Sequence, residues 1–182
     1  MKKLCVVPLA AAALVLAACS SEKPGSASPA PSAPPGSSSA SSPAPTSGAD
    51  TASIEPCSLV GATDLASYGT FKPPTSENAG GARLCTLNKE AATASETLSI
   101  GIGVRDRQGL DTVSDAGTGK TTGNVNGRKA ILAPRPPAGC LMALELGASA
   151  RVDVLVAADD AEKACGIAEK VADIVEPKLP KS

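Results

Sequence analysis

Four cysteines, Cys57, Cys85, Cys140 and Cys165, are spread over a chain with one tyrosine, one phenylalanine and no tryptophan. That pairing constrains the fold more than any other feature. Ala, Val, Leu and Ile bury less area per side chain than aromatics do, so a core built from them gains from cross-links. Whether these cysteines can cross-link depends on the compartment, and the first 19 residues address that.

Lys2 and Lys3 form a positive start, and Leu4 to Leu16 is an apolar run of signal-peptide length, too short for a stable membrane span. It ends in Leu16-Ala17-Ala18-Cys19. Small residues before the cut suit a narrow peptidase groove, and the cysteine thiol can carry a diacylglycerol with acyl chains such as palmitate. The expectation is a lipoprotein signal peptide over residues 1–18, cleaved before Cys19. The mature chain is then lipid-anchored at the extracytoplasmic face of the cell membrane. Each buried methylene of the lipid adds about 0.8 kcal/mol, so several acyl chains give lasting attachment.

Residues 19–53 read as the lipidated N-terminus and a disordered linker. Pro24 to Gly48 holds only Pro, Gly, Ser, Ala and Thr, which leaves nothing to bury against the ordering entropy. Its reach runs from roughly 30 Å as a flexible coil to roughly 100 Å extended. Removing Lys2 and Lys3 with the leader takes the net charge from −1 to −3. No basic patch stands out, which argues against a nucleic-acid partner.

In an exported chain, four remaining cysteines read as two disulfides. Three connectivities are open, of which the sequence-local Cys57–Cys85 and Cys140–Cys165 is favoured. A four-cysteine zinc site would use closer spacings and a Cys-x-x-Cys knuckle, and neither occurs. No metal or other cofactor is expected.

Residues 54–182 form the expected domain, of the α+β class: an antiparallel sheet of about five strands, a short N-terminal helix and a longer C-terminal helix packed on it. The short helix is placed at Thr63 to Tyr68, with a loop over 70–82. Strands are expected at Arg83–Lys89, at Thr97–Val104, where Leu98, Ile100, Ile102 and Val104 alternate inward, and around the Asn126-Gly127 turn. Residues 105–124 read as a polar, Gly-rich loop. Two more strands follow at Cys140–Leu146 and Val152–Val156, with Arg151 and Asp153 facing outward. In the terminal helix Asp159 is the expected cap, Ala164, Ile167, Val171, Ile174 and Val175 make the apolar stripe, and Pro177 ends it.

The same layout resembles a large actinobacterial family of secreted lipoproteins that carry a four-cysteine domain of unknown function. The resemblance rests on the Leu-Ala-Ala-Cys box, the Ser/Pro/Ala linker, Pro56-Cys57-Ser58-Leu59 and Cys85-Thr86. It continues with Asn126-Gly127-Arg128-Lys129-Ala130, Cys140 at a strand start, and Cys165 in a helix ending Val175-Glu176-Pro177-Lys178-Leu179-Pro180. Leu87 departs from it, standing where such proteins often place an aromatic. The resemblance implies an envelope lipoprotein without an established activity. By analogy of shape alone it suggests the sandwiches of photosystem-accessory lipoproteins.

No chemistry is legible. The absence of histidine removes Ser-His-Asp and Cys-His catalysis. Gly117-Thr118-Gly119-Lys120-Thr121 resembles part of a phosphate loop, but Ser114 stands where the first glycine belongs. Asp106, Asp111 and Asp115 read as a solvated loop rather than a calcium site. Two functions follow as expectations. The first is a non-enzymatic binding or accessory domain, contacting an envelope protein or a small apolar ligand. The alternative is a cell-wall hydrolase using carboxylates only.

Overall fold

A computed structural model describes residues 51–181. The leader, Cys19 and the linker up to residue 50 lie outside the described residues. Within them, seven strands form one antiparallel sheet: β1 (Thr75–Ala79), β2 (Ala82–Asn88), β3 (Ser99–Arg105), β4 (Thr121–Val125), β5 (Arg128–Arg135), β6 (Gly139–Glu145) and β7 (Arg151–Ala157). Their spatial order is β1-β2-β3-β7-β6-β5-β4. Two meanders, β1 to β3 and β4 to β7, therefore meet where β7 pairs with β3. A crossover over residues 106–120 carries the chain from β3 to the far edge. Gly80-Gly81 and Asn126-Gly127 close the two outer hairpins with φ of 57° and 78°, and 51° and 92°, the positive values that two-residue hairpin turns require.

Seven strands replace the five expected. The two additional ones, β1 and most of β4, fall in segments read as loops, and both are edges of the sheet. All of β1 and the first four residues of β4 are exposed on both faces. A strand with no buried face has no reason to alternate, so its sequence carries no period. The short N-terminal helix also shifts: α1 is Pro56–Leu59, while Thr63–Tyr68 forms turns ending in a 3-10 segment at Ala66–Tyr68.

The long helix α2 (Ala161–Val175) lies on one face of the sheet, hereafter the helix face. Ala164, Ile167, Ala168, Val171, Ala172 and Val175 are buried there against Ile100, Ile102, Val152, Val154 and Leu144. Asp160, not Asp159, caps α2, its carboxylate accepting from the Lys163 backbone N–H at 2.8 Å. Asp159 instead pairs with the Lys163 side chain at 2.9 Å. Two segments quoted for the family resemblance meet in space. The buried Arg128 donates to the carboxylate of Glu176 at 3.1 Å and to the carbonyl of Pro180 at 2.7 Å, which ties the C-terminal tail to β5.

Each helix is stapled to one strand. Cys57 of α1 bonds Cys85 of β2, and Cys140 of β6 bonds Cys165 of α2, with Cα separations of 5.1 and 4.9 Å. This is the sequence-local pairing. Each staple closes 25 to 28 residues, which by loop-closure entropy stabilises by about 3.5 kcal/mol. Replacing both Cys140 and Cys165 with alanine should lower the unfolding free energy by about 2–4 kcal/mol in a urea titration. A non-reducing peptide map of the parent chain should recover both cross-linked peptides.

Candidate functional site

The opposite face of the sheet carries no helix, and strand register sorts it into rows. The outermost row holds Arg135, Gly139, Ala157 and Ser99 on β5, β6, β7 and β3. The next holds Ala133, Leu141, Leu155, Gly101 and Thr86, and a third holds Ile131, Ala143, Asp153, Gly103 and Leu84. On the β5–β6 side, the crossover covers this face: Val113 and Leu110 pack on Ile131, Ala133, Leu141 and Ala143. Over β2, β3 and β7 the outer two rows stay open. They form a hollow of about 340 Å³ whose walls are almost wholly apolar, with Leu84 and Leu155 on either side of Gly101. Among the described residues, Leu155 is the exposed large hydrophobic, at 37%. A Cβ on Gly101 would lie 3.4 Å from Leu84 Cδ1 and 3.6 Å from Leu155 Cβ, so any larger side chain there would fill the floor.

Behind the hollow sits a charged cluster that the sequence reading put in solvent. Arg151 and Asp153 are 4% and 1% exposed, not outward-facing. Asp153 accepts from the Arg151 Nε at 2.6 Å and from Arg105 on the neighbouring strand. Arg151 also donates to the carbonyl of Gly109 at 2.7 Å and to the hydroxyl of Thr112. Arg105 reaches the carbonyl of Gly80 and the side-chain carbonyl of Gln108, both at 2.6 Å. One carboxylate and two guanidinium groups thus hold the crossover and the β1–β2 turn onto the sheet. The alternation of β7 was read correctly, but alternation reports which face a residue is on and not what covers that face. A buried charge survives only when paired and hydrogen-bonded, and the crossover carbonyls complete that pairing.

The other sequence candidates have structural roles. The carboxylate of Asp115 accepts from the backbone N–H groups of Gly117 and Gly119 at 2.8 and 3.0 Å, the same groups a phosphate would need. Lys120 donates to the Val113 carbonyl at 2.8 Å, and strand β4 follows instead of a helix. Asp106 is paired with Arg83 at 3.0 Å. The Arg83 guanidinium holds that carboxyl below its ordinary range, and Asp106 in turn raises Arg83. Asp64 is lowered by the N–H of Gly61 and by Lys178. Lys178 also donates to the Leu59 carbonyl at 2.8 Å, which pins the chain after α2 to α1. Glu55 and Glu77 line a second hollow of about 230 Å³ beside Arg83, whose guanidinium is occupied by Asp106 and by the carbonyls of Thr51 and Ile54. Among the described residues no group of three His, Cys, Asp or Glu is placed to hold a metal ion, and no helix is long and apolar enough to cross a membrane.

Comparison with known proteins adds one finding. A family described as a protein of unknown function, DUF3558, matches residues 14–178. No curated protein and no solved structure matches the chain.

Asp153→Asn should leave the buried Arg151 and the half-buried Arg105 without their counter-charge. The expected loss is about 3–5 kcal/mol in urea unfolding. Asp106→Asn, at a pair whose carboxylate is 43% exposed, should cost under about 1 kcal/mol. Asp64 and Asp106 have folded-state pKa values below their ordinary 3.8. Their contribution is therefore complete above about pH 5 and is lost as the pH falls from about 4 through the lowered values. The urea midpoint of the parent chain should drop over that interval.

Proposed function

The chain belongs to the DUF3558 family, and we propose from its own residues that it is a non-enzymatic binding lipoprotein of the cell envelope. Lipid on Cys19 holds it at the extracytoplasmic face, residues 19–53 space the domain from the membrane, and the domain binds a small ligand with an apolar body.

The observation that carries this reading is the apolar hollow on the helix-free face. An open recess with apolar walls can hold a small apolar body, and about 340 Å³ falls at the lower end of the size range of small-molecule pockets. The charged groups support the same reading by being committed elsewhere. Asp153, Arg151 and Arg105 hold the crossover, Asp115 closes its glycine loop, and Asp106 pairs with Arg83. A carboxylate-only hydrolase needs two carboxyl groups flanking a substrate. The walls of the hollow carry none. The leader and Leu16-Ala17-Ala18-Cys19 support the anchor.

Native mass spectrometry of the protein purified from its own host should find a retained apolar ligand. A clean apo mass together with hydrolysis of wall material by the same sample would overturn the proposal. Cys19→Ser should move the protein out of the membrane fraction and abolish labelling by a fatty-acid analogue. Persistence of both would remove the anchor.

A further inference from the structure

The hollow is not uniform, and its asymmetry points to a class of ligand. Its floor and sides are Leu84, Gly101 and Leu155, but its outermost row begins with Arg135. This residue sits at the end of β5, paired with Gly139 across the β5–β6 turn. Gly139 keeps that corner open, because a Cβ there would lie 3.1 Å from both the Cβ and the carbonyl oxygen of Arg135. Among the described residues, the Arg135 side chain has no hydrogen-bond or ion-pair partner.

The other arginines of this face behave differently. Arg105 and Arg151 are each satisfied by a carboxylate and by backbone carbonyls. Arg135 alone combines a place on the hollow's lining with a guanidinium free for an incoming anion. The remaining members of its row, Gly139, Ala157 and Ser99, are too small to screen it. From β2 to β5 the face spans four strand spacings, about 19 Å, so an apolar tail lying over Gly101 and a head at Arg135 fit one extended molecule.

We infer that the hollow binds an anionic single-chain amphiphile, with the hydrocarbon tail lying between Leu84 and Leu155 and a carboxylate or phosphate head paired with Arg135. This rests on the binding reading above and specifies its ligand. A guanidinium presents two parallel N–H donors, the geometry that carboxylate and phosphate oxygens match. Against the low-dielectric wall of the hollow the pair is worth more than in open water. Another copy of this chain is the competing occupant of the apolar surface, and it would not require an anion at Arg135.

The test is calorimetric titration of the full chain with dodecanoate, dodecyl phosphate and dodecanol, each below its aggregation threshold. Both anions should bind, and dodecanol should bind at least about tenfold more weakly. Arg135→Gln should reduce affinity for both anions by about tenfold and leave dodecanol unchanged. Leu155→Gln, at an exposed position, should weaken all three. Equal binding of the three compounds, or indifference to Arg135→Gln, would overturn the anionic-head assignment and leave an apolar pocket. Absence of binding by any of them would overturn the pocket as well. A concentration-dependent dimer that Leu155→Gln dissociates, with no amphiphile bound, would assign the surface to a second copy.

Discussion

The sheet is a single sheet because β7 pairs with β3. Either meander alone would have one more open edge and a smaller face for helices to cover. Joining them requires the chain to leave β3, travel to the opposite edge and return strand by strand, and the 106–120 crossover is the consequence. That segment must pass over one face. It is held there by Arg151 of β7 and Arg105 of β3, which donate to Gly109, Thr112 and Gln108 and both pair with Asp153 at the seam. The seam fixes the topology, and the ion cluster on the seam fixes where the crossover lies.

The two faces then solve different problems. On the helix face the side chains are short, so α2 settles on the sheet through Ala164, Ala168 and Ala172 between Ile167, Val171 and Val175. Contacts of that size gain little individually, and each helix carries a disulfide to one strand. On the other face the crossover supplies the cover, but 15 residues shield only the β5–β6 side and the seam. Leu110 and Val113 are spent there. Nothing else in the described chain reaches the outer rows of β2, β3 and β7.

The sequence was most legible where burial on one face imposed a period. Ile100, Ile102 and Val104, then Val152, Val154 and Val156, announced β3 and β7, and the stripe through Ile167, Val171 and Val175 announced α2. The local disulfide pairing was also the preferred reading. What escaped lacked a period or depended on distant contacts. Thr75–Ala79 is an edge strand without an inside. Arg151 and Asp153 alternate as a solvent-facing pair would, and only a crossover more than thirty residues earlier in sequence covers them. A small apolar ligand was an expectation, but the hollow lies on the face that carries no helix, and nothing in the sequence placed it there. Gly101 and Gly103 were read as the outward face of β3. Arg135 carries no signal of its own in the sequence, because its significance comes from register with Gly139 and Ala157.

The shortage of large side chains therefore has opposite effects on the two faces. Below the helices, small residues allow close approach, and the cross-links offset what the reduced contact area does not supply. On the far face, Ser99, Gly101, Gly139 and Ala157 stand where bulkier residues would complete a flat, filled surface. At Ser99 and Ala157 a β-branched side chain would suit the pleated surface, and no positive φ requires glycine at 101, whereas a Cβ at Gly139 would crowd the carbonyl oxygen of Arg135 at 3.1 Å. Gly101 is therefore not explained by backbone geometry, and the space it leaves between Leu84 and Leu155 is a property of the side chains chosen. The same reasoning sets Arg135 apart from the arginines behind it. Arg105 and Arg151 pair with the buried Asp153 and with carbonyls of the turn and the crossover, whereas the Arg135 guanidinium has no such partner in the described chain and stays accessible to solvent or to an incoming anion.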